Sequence, residues 1–422
     1  METAEKRVSE DTSRLRLAAV RAYLESGLGR PERAVQAAAT ALAEPKLPDE
    51  AVPSCGLVGA LATLGRVDDL GPAAARGHLA AARSTELAYL RVPLAGWQML
   101  GLRLAGHLRE ALDVALECRK ATKGLAFGAE LSSAIVGDAE LARGRVAGSL
   151  RLLREARAGM DGAGNAGGFL YFCQLSTTKA LAVSGDFAAA RRALAELWEV
   201  RHRALLLLEP EMLLARAWVA AAEGVVSEAV ALTHDAAEVA AAQGQPAHEV
   251  LALHAAVCFG DGSVAGRLAD LATRVAGPRA PAAAAQTAAL AAGDGDALRA
   301  ASIELEQMGD PLAAADAAAQ AAVAHTRRGQ KTLATAASAR AHRLAQACDG
   351  ARTPALTAAA RPLPLTTRER EIVTLAAHGL PNRAIADRLV VSVRTVEGHL
   401  YRAGTKIGTS NRAELATLLH HD

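Results

Sequence analysis

A run of polar side chains near the C-terminus, from Ser392 to Lys406, has the spacing of one face of a helix. Projected at about 100° per residue, the apolar residues of this segment fall on a single stripe: Val396, Leu400, Ala403 and Ile407. Eight residues lie opposite this stripe or beside it: Arg394, Thr395, Glu397, Gly398, Tyr401, Arg402, Thr405 and Lys406. Such a face can present hydrogen-bond donors and acceptors to a surface while the stripe packs inward.

The chemistry of this face fits double-stranded DNA. We expect Arg394, Thr395, Arg402 and Lys406 to position the helix on phosphates. Glu397 and Tyr401 are better placed for base edges, and Glu397 can accept a hydrogen bond from a cytosine amino group. Gly398 has no side chain, so it allows close approach of the backbone. Thr405 adds a hydroxyl to the same face.

Start and stop signals place three further helices around this one. Thr366 and Glu369 have capping-box spacing and open a first helix that ends at Gly379. A second helix runs over about 382–389, and Ser392 is a favourable N-cap for the helix that carries the polar face. A second capping-box spacing at Asn411 opens a fourth helix. The arrangement is that of a helix-turn-helix.

Several submotifs occur in the order typical of one family: Leu365–Glu371, Gly379–Ala386, Ser392–Leu400, Lys406–Gly408 and Arg412–Glu414. Together they resemble the LuxR-type helix-turn-helix domain over about 363–420. The resemblance implies that the third helix reads DNA and that the fourth mediates dimer contacts. It places Leu415, Leu418 and Leu419 at the dimer interface of a homodimer on DNA. Gly404 and Thr409 depart from the family pattern.

Other interpretations of the tail remain open. The pattern also fits a packing motif, a degenerate domain without useful DNA affinity, or the promoter-reading region of a sigma factor. Glu397 can be a solvated helix residue, and His399 fits a packing or phosphate-side role better than a metal ligand. Residues 362–422 carry a net charge of +2, which equals the value for the whole chain. The upstream region is therefore neutral, which argues against a second nucleic-acid surface.

The region before the tail has a repeating pattern of glycines. Eight glycines between helical segments recur at nearly regular intervals along the chain: Gly29, Gly65, Gly106, Gly144, Gly185, Gly224, Gly260 and Gly293. At four of them an alanine follows five residues later: Ala34, Ala111, Ala190 and Ala229. A glycine that ends one helix and an alanine at a close crossing indicate antiparallel helix pairs, and the pattern resembles tetratricopeptide repeats with a longer period than usual. An irregular alanine-rich bundle is the alternative.

These signals predict an all-α protein, in which a tetratricopeptide-like solenoid precedes a four-helix LuxR-type domain. The predicted boundaries are a polar tail over 1–13, repeats over 14–348, a proline-containing linker over 349–362, and the DNA-binding domain over 363–422. A curved solenoid has a concave groove for a protein or small-molecule effector. With 3% aromatic residues, the composition favours closely packed helices over sheets.

Several absences narrow the function. The five cysteines show no paired spacing, so no disulfide framework, zinc site or other cofactor is expected. The sequence shows neither a signal peptide nor an apolar stretch of membrane-spanning length, so we expect a cytoplasmic protein with no membrane contact. There is no P-loop, and the chain resembles the C-terminal half of the large ATP-binding, maltose-activator-like LuxR regulators without their ATPase. No catalytic constellation is evident.

We therefore expect a non-enzymatic transcriptional regulator, in particular an activator that contacts RNA polymerase. One rival is a helical-repeat interaction scaffold with a degenerate or sigma-like tail. Another is an enzyme with an unrecognised helical active site, which a cluster of buried titratable groups beside a solenoid cavity would favour.

Overall fold

The computed structural model describes residues 2–43, 50–125, 127–160, 168–360 and 365–407, with the backbone only for 2–12 and 407. Across these ranges the chain forms 22 α-helices and no strand, which confirms the all-α prediction. No described helix is long and apolar enough to cross a membrane.

The first eighteen helices form nine antiparallel pairs. In chain order these are α1 (Glu2–Gly27) and α2 (Pro31–Leu42), α3 (Ala51–Leu64) and α4 (Val67–Ala82), α5 (Arg91–Ala105) and α6 (Leu108–Ala121), α7 (Gly128–Ala142) and α8 (Val146–Met160), α9 (Phe169–Val183) and α10 (Phe187–Glu199), α11 (Glu209–Ala222) and α12 (Val226–Ala242), α13 (Pro246–Cys258) and α14 (Ala265–Leu271), α15 (Arg279–Ala292) and α16 (Gly295–Met308), α17 (Pro311–Arg327) and α18 (Lys331–Ala347). Four helices follow: α19 (Pro354–Ala360), α20 (Thr367–Ala377), α21 (Asn382–Leu389) and α22 (Val393–Ile407).

The glycine period corresponds to the corner within each pair. All eight glycines of the period have positive φ, between 59° and 100°, which is the left-handed conformation that favours glycine. Gly329, in the corner between α17 and α18, continues the series with φ 72°. The four alanines that follow five residues after a corner are fully buried, as the close crossing requires.

The two helices of a pair have different surroundings. From the second pair onward, the first helix of each pair is more buried than the second, as in α3 and α13, whereas α1 leaves Leu17, Val20 and Leu24 exposed. The second helix buries a single stripe; in α2 the stripe consists of Pro31, Ala34, Ala37, Ala38 and Ala41. The first helices therefore form the inside of the solenoid, and the second helices face solvent.

The solenoid winds tightly enough that its successive turns touch. Each of the first six corners lies against chain that follows between five and six helix pairs later. A Cβ added at Gly65 would lie 2.7 Å from Val275 Cγ1, and the Gly65 carbonyl accepts a hydrogen bond of 3.1 Å from the Ala276 amide. In the same way Gly185 lies against Arg352. The corners need glycine for space as well as for φ.

Two segments differ from their predicted boundaries. Residues 2–13, predicted as a polar tail, belong to α1. The predicted linker over 349–362 contains α19, and Ala351 and Thr353 before it are buried against the repeats. Thr353 Oγ1 caps α19 by accepting from the Leu356 amide at 3.2 Å, and Pro354 takes the first helical position, where proline is well tolerated. Pro354, which contributed to the linker prediction, is therefore the first residue of a helix.

The contact between turns can be tested with two corner glycines of similar φ. Gly65 (φ 70°) faces Val275, whereas Gly293 (φ 59°) has no atom within 4 Å of an added Cβ. Gly293→Ala should cost only the left-handed strain of about 1–2 kcal/mol. Gly65→Ala should cost a further ~1–3 kcal/mol from overpacking. Urea unfolding of both variants measures the difference, and equal losses would contradict the packing described.

A buried carboxyl should make stability depend on pH. Asp316 is fully buried and accepts a hydrogen bond from Thr353 Oγ1; burial, together with nearby Asp310, raises its pKa to about 8. The folded state therefore holds a proton that the unfolded state releases above its ordinary pKa of 3.8, so stability falls as pH rises toward 8. Burial lowers the pKa of His254 to about 4 from 6.5, which has the opposite effect but only below 6.5.

Between pH 6.5 and 8 the free energy of unfolding should therefore fall, by at most about 1.4 kcal/mol per pH unit. Asp316→Asn should remove this decline, because the amide does not titrate. Denaturant unfolding at the two pH values provides the measurement. An unchanged slope in the variant would show that Asp316 is not the titrating group.

Candidate nucleic-acid interface

The predicted recognition helix is α22, and it packs as its apolar stripe indicates. Val396 and Ala403 are fully buried, and Leu400 is half-buried beside Val373. Ile372, Leu375, Ile385 and Leu389 of α20 and α21 complete the core of the domain. Seven of the eight predicted DNA-facing residues are exposed, and Gly398 is half-buried.

Both predicted caps are present. Ser392 Oγ accepts from the Thr395 amide at 3.1 Å and lies 2.8 Å from the Thr395 hydroxyl. Thr366 and Glu369 form the full capping box at the start of α20, with bonds of 3.2 Å and 2.8 Å. The caps therefore fix where α20 and α22 begin, and the Thr395 hydroxyl is engaged within the cap.

Glu369 has a second role that the sequence did not reveal. Its carboxylate lies 2.7 Å from Lys406 Nζ and 3.8 Å from Arg402 Nε. Burial alone would raise the pKa of Glu369, but the bonds from Lys406 and Thr366 lower it to about 2. Two of the predicted phosphate contacts, Arg402 and Lys406, are thus partly neutralised within the domain. The capping-box spacing identified Glu369 as a cap but gave no reason to expect this ion pair.

The remaining polar residues divide into engaged and available side chains. Thr405 Oγ1 donates to the Tyr401 carbonyl at 3.0 Å, and Arg402 lies 3.0 Å from His399 Nδ1. Within the described part of the chain, the side chains of Arg394, Glu397 and Tyr401 have no polar partner; Tyr401 is 78% exposed. These three side chains are the most available for an external ligand. Gly404, which departs from the family pattern, is buried.

The turn between α21 and α22 contains a strained residue. Val390 has φ 54° and ψ 50°, the left-handed conformation, and its side chain is 90% exposed. A β-branched residue is rarely found there. In the sequence Val390 is only part of a short link between two helices, and nothing there indicates its left-handed conformation. The fourth helix and the predicted dimer residues Leu415, Leu418 and Leu419 lie outside the described residues.

A second cluster of polar groups lies inside the solenoid. Arg103 contacts Asp138 at 3.1 Å and Glu211 at 2.5 Å, and His248 Nε2 lies 3.3 Å from Glu211. Burial would raise the pKa of Glu211, but Arg103 and His248 hold it well below its ordinary range. Burial, with Arg103 nearby, lowers the pKa of Lys179, whose ammonium lies 5.6 Å from the centre of the Trp218 ring.

This cluster is the kind of feature that would favour an enzyme. The cavity it lines has a volume of about 30 Å³, enough for a water molecule and too small for a substrate. Arg103 contacts both carboxylates. The described residues contain no group of three or more His, Cys, Asp or Glu that could hold a metal ion.

A known protein family matches the part of the chain that contains the C-terminal helices α20 to α22. The model of the bacterial regulatory proteins of the luxR family matches residues 363–419. The C-terminal domain is a LuxR-type helix-turn-helix domain. This match confirms the resemblance that the submotifs indicated.

Relatives of the LuxR-type domain include regulators of different lengths. A putative HTH-type transcriptional regulator of Mycobacterium tuberculosis and the oxygen regulatory protein NreC of Staphylococcus aureus are each 47% identical over 51 residues, which is 12% of this chain. The matched segment spans 6% of the first relative and 24% of the second. The similarity therefore concerns the DNA-binding domain alone.

The repeats resemble a solved structure in fold. The structure titled as a Rap protein complexed with competence and sporulation factor superposes with a TM-score of 0.54 and 12% identity. The match covers 79% of this chain and 98% of that chain. It supports a helical-repeat architecture for the region before the LuxR-type domain.

The strain at Val390 leads to a stability prediction. Val390→Gly should stabilise the chain by about 0.5–1 kcal/mol, because the relief of left-handed strain exceeds the entropic cost of glycine. Val391→Gly is the control, since Val391 packs against the core of the domain and has no positive φ. Val391→Gly should lower the stability of the folded protein. Thermal unfolding compares the two, and a loss of stability in Val390→Gly would contradict the strain.

Proposed function

We propose that this protein is a sequence-specific transcriptional regulator that inserts α22 into the major groove of duplex DNA. The observation that carries the proposal is the capped helix whose buried stripe opposes an exposed face with Arg394, Glu397 and Tyr401 available. The luxR family match over 363–419 supports the same role. A helix presented in this way reads base edges with its outer side chains while its flanks contact phosphates.

The contacts on DNA should be unequal. Within the described residues Arg394 has no carboxylate partner, so it should form the strongest phosphate contact from α22. Arg402 and Lys406 must share their charge with Glu369, so each should contribute less. Tyr401 and Glu397 are exposed and are the proposed base readers, with Gly398 and Thr405 on the same face.

The repeats supply the input in this proposal. The Rap protein, whose fold the repeats share, was solved in a complex with a factor, and we infer that the solenoid of this protein also receives a protein or small-molecule effector. The cavity beside Arg103 is too small to hold such an effector. A groove of about 320 Å³ among α8, α9 and α10 offers more room, and Arg154, Arg157 and Arg192 line it. Glu196 also lines the groove and pairs with Arg157 at 3.0 Å, so the lining carries three positive charges against one negative charge. This balance would favour an anionic effector.

The remaining features of the proposal follow from the LuxR-type domain. We propose that the protein binds DNA as a homodimer, acts as an activator and contacts RNA polymerase. The rival function, an interaction scaffold whose tail has lost DNA affinity, predicts no salt-dependent binding to any DNA sequence. The two proposals therefore differ in a single measurement.

The test is selection of bound fragments from random DNA with the full chain, followed by affinity measurements at several salt concentrations. Arg394→Ala should weaken binding to all sequences alike and reduce the slope of log affinity against log salt by about 1. Tyr401→Ala should change the preferred bases, with a cost of about 1–3 kcal/mol on the original site.

The control is Arg343→Ala on α18, an exposed arginine outside the domain, which should leave both properties unchanged. Unaltered binding in the Arg394 and Tyr401 variants would show that the assigned face is wrong. Failure of the full chain to select any sequence would favour the scaffold.

A further inference from the structure

The DNA-binding domain is docked on the repeats through a surface remote from the polypeptide connection. The corner between α11 and α12, residues 224–228, lies against α20 and α21. An added Cβ at Gly224 would lie 2.6 Å from Thr374 Cγ2, and Val225 is fully buried in the core of the LuxR-type domain. The packing is of the same kind as at the earlier corners, where later chain covers the glycine. The domain and the solenoid therefore share an apolar core at this corner.

A carboxylate of the domain caps a helix of the solenoid. Val225 occupies the N-cap position of α12 and offers no side-chain acceptor for the first amides of the helix. Glu371 of α20 accepts hydrogen bonds from the Ser227 amide and, at 3.1 Å, from the Ser227 hydroxyl. A carboxylate in this place satisfies an orphan amide and interacts favourably with the helix dipole. Glu371 is almost fully buried, so the cap is shielded from solvent.

Arg368 joins this cap to the turn of the helix-turn-helix. One terminal nitrogen, Nη1, donates to Ser227 Oγ at 3.2 Å and to Glu371 Oε2 at 3.0 Å. The other, Nη2, donates to the Leu389 carbonyl at 2.7 Å. Leu389 is the last residue of α21, and Val390 with φ 54° follows it. One guanidinium therefore bonds both to the solenoid and to the carbonyl that precedes the strained residue.

A second arginine holds the same end of α21. Arg388, in the last turn of the helix, pairs with Glu223 and, at 3.1 Å, with Glu228. Glu223 is buried and also bonds to Arg191 of α10 at 2.6 Å. Both arginines at this end of α21 therefore have partners in the solenoid. We define the turn clamp as the contacts of Arg368 and Arg388 with Ser227, Glu223, Glu228 and the Leu389 carbonyl.

The turn needs such support because its own conformation is unfavourable. A β-branched residue is rarely left-handed, and the Val390 side chain is 90% exposed, so its packing does not compensate the strain. The turn sets the angle between α21 and α22, and therefore the direction of the recognition helix within the domain. None of the eight predicted DNA-facing residues belongs to the turn clamp, and seven of them are exposed while the domain is docked. Docking therefore leaves the recognition face open.

We propose that docking on the solenoid pre-organises the recognition helix, because the turn clamp holds the strained turn in the conformation that presents α22 to DNA. This inference rests on the proposed function. Arg368 and Arg388 are thus positioning residues with no contact to bases. A protein whose binding-competent conformation is only partly populated binds more weakly in proportion to that population. Release of the domain should therefore weaken DNA binding without altering the base preference.

The test is Val225→Asp in the full chain, which releases the domain by a change on the solenoid side. The substitution removes the apolar contact and sets a carboxylate against Glu371. Aspartate is favourable at an N-cap position, so α12 keeps a cap and the solenoid should stay folded. Small-angle X-ray scattering checks the release, since a domain that leaves the corner increases the radius of gyration.

Two properties should change in the released chain. Without DNA, hydrogen exchange at the Val391 amide, which donates to the Ala386 carbonyl at 3.0 Å across the turn, should accelerate at least ~10-fold. The affinity for the selected DNA site should fall about 5–10-fold. The preferred bases and the slope of log affinity against log salt should stay as in the wild type, because no base or phosphate contact is removed.

Two further variants make the result specific. Gln330→Asp adds the same charge at the N-cap position of α18, beside a corner glycine with no atom within 4 Å of an added Cβ, and should behave as the wild type. Val390→Asn relieves the strain, because asparagine tolerates the left-handed conformation. Added to Val225→Asp, it should recover about threefold in affinity, whereas in the docked chain it should leave the affinity nearly unchanged.

Arg388→Glu opens the turn clamp from the domain side, because it sets a third carboxylate beside Glu223 and Glu228. Hydrogen exchange should accelerate at the Ser227 amide, which loses its acceptor Glu371, and at the Val391 amide alike. A domain that stays docked in both Val225→Asp and Arg388→Glu would show that the described contacts do not hold it, which would overturn the proposal.

Release with unchanged exchange at Val391 and unchanged affinity would also overturn it, since the domain would then hold its turn alone. Tighter binding after release would show that docking restrains α22, and a shallower salt slope would assign the loss to a phosphate contact; either result contradicts pre-organisation. Failure of the wild type to select DNA would refute the proposed function. The exchange experiment, which needs no DNA, would still decide whether docking orders the turn.

Discussion

The contact of the first six helix-pair corners with the next turn of the superhelix is the constraint on which the rest of this structure depends. Alanine-rich helices bury little area each, so a single layer of pairs would be weakly held. Tight winding brings chain from five or six helix pairs later onto the corners, and only glycine leaves room for it. The corner of α11 and α12 receives α20 by the same rule, so the construction that holds the repeats together also orients the DNA-binding domain.

Within the domain, α20 links the two surfaces through neighbouring carboxylates. Glu369 faces α22 and pairs with Lys406, whereas Glu371 faces the solenoid and caps α12. Both are almost fully buried, and both satisfy backbone amides at a helix N-terminus. The recognition helix is therefore bonded to α20, and α20 to the repeats. The recognition helix and the repeats are connected through α20 by two buried carboxylates, Glu369 and Glu371.

Much of this arrangement could be predicted from the sequence because it depends on local rules. The capping box at Thr366, the N-cap at Ser392 and the glycine period each follow from hydrogen bonds or φ values within a few residues. The stripe through Val396 and Ala403 follows from helical periodicity. The segment predicted as a linker contains a helix instead, because Pro354 occupies the first helical position of α19. A proline among small residues is found both in linkers and at helix starts, so composition alone does not distinguish the two.

The rest could not be predicted, because it arises between distant segments. Nothing near Ser227 indicates that its amide is capped by Glu371, and nothing near Lys406 indicates the ion pair with Glu369. The superhelical winding determines which corner contacts which helix. The winding depends on small angles between successive helix pairs, and the glycine and alanine spacing of the sequence does not encode these angles. The buried Arg103 cluster has the same origin, since its members come from four different helices.

In the proposed mode of binding, α22 reads DNA while the domain stays docked on the repeats. It is tested most directly by a structure of the full chain bound to a DNA site that it has selected. We predict α22 in the major groove, Tyr401 and Glu397 at base edges, Arg394 at a phosphate, and the Ser227 amide still bonded to Glu371. A complex in which α22 faces away from the DNA, or in which the domain has left the corner at Gly224, would contradict this account.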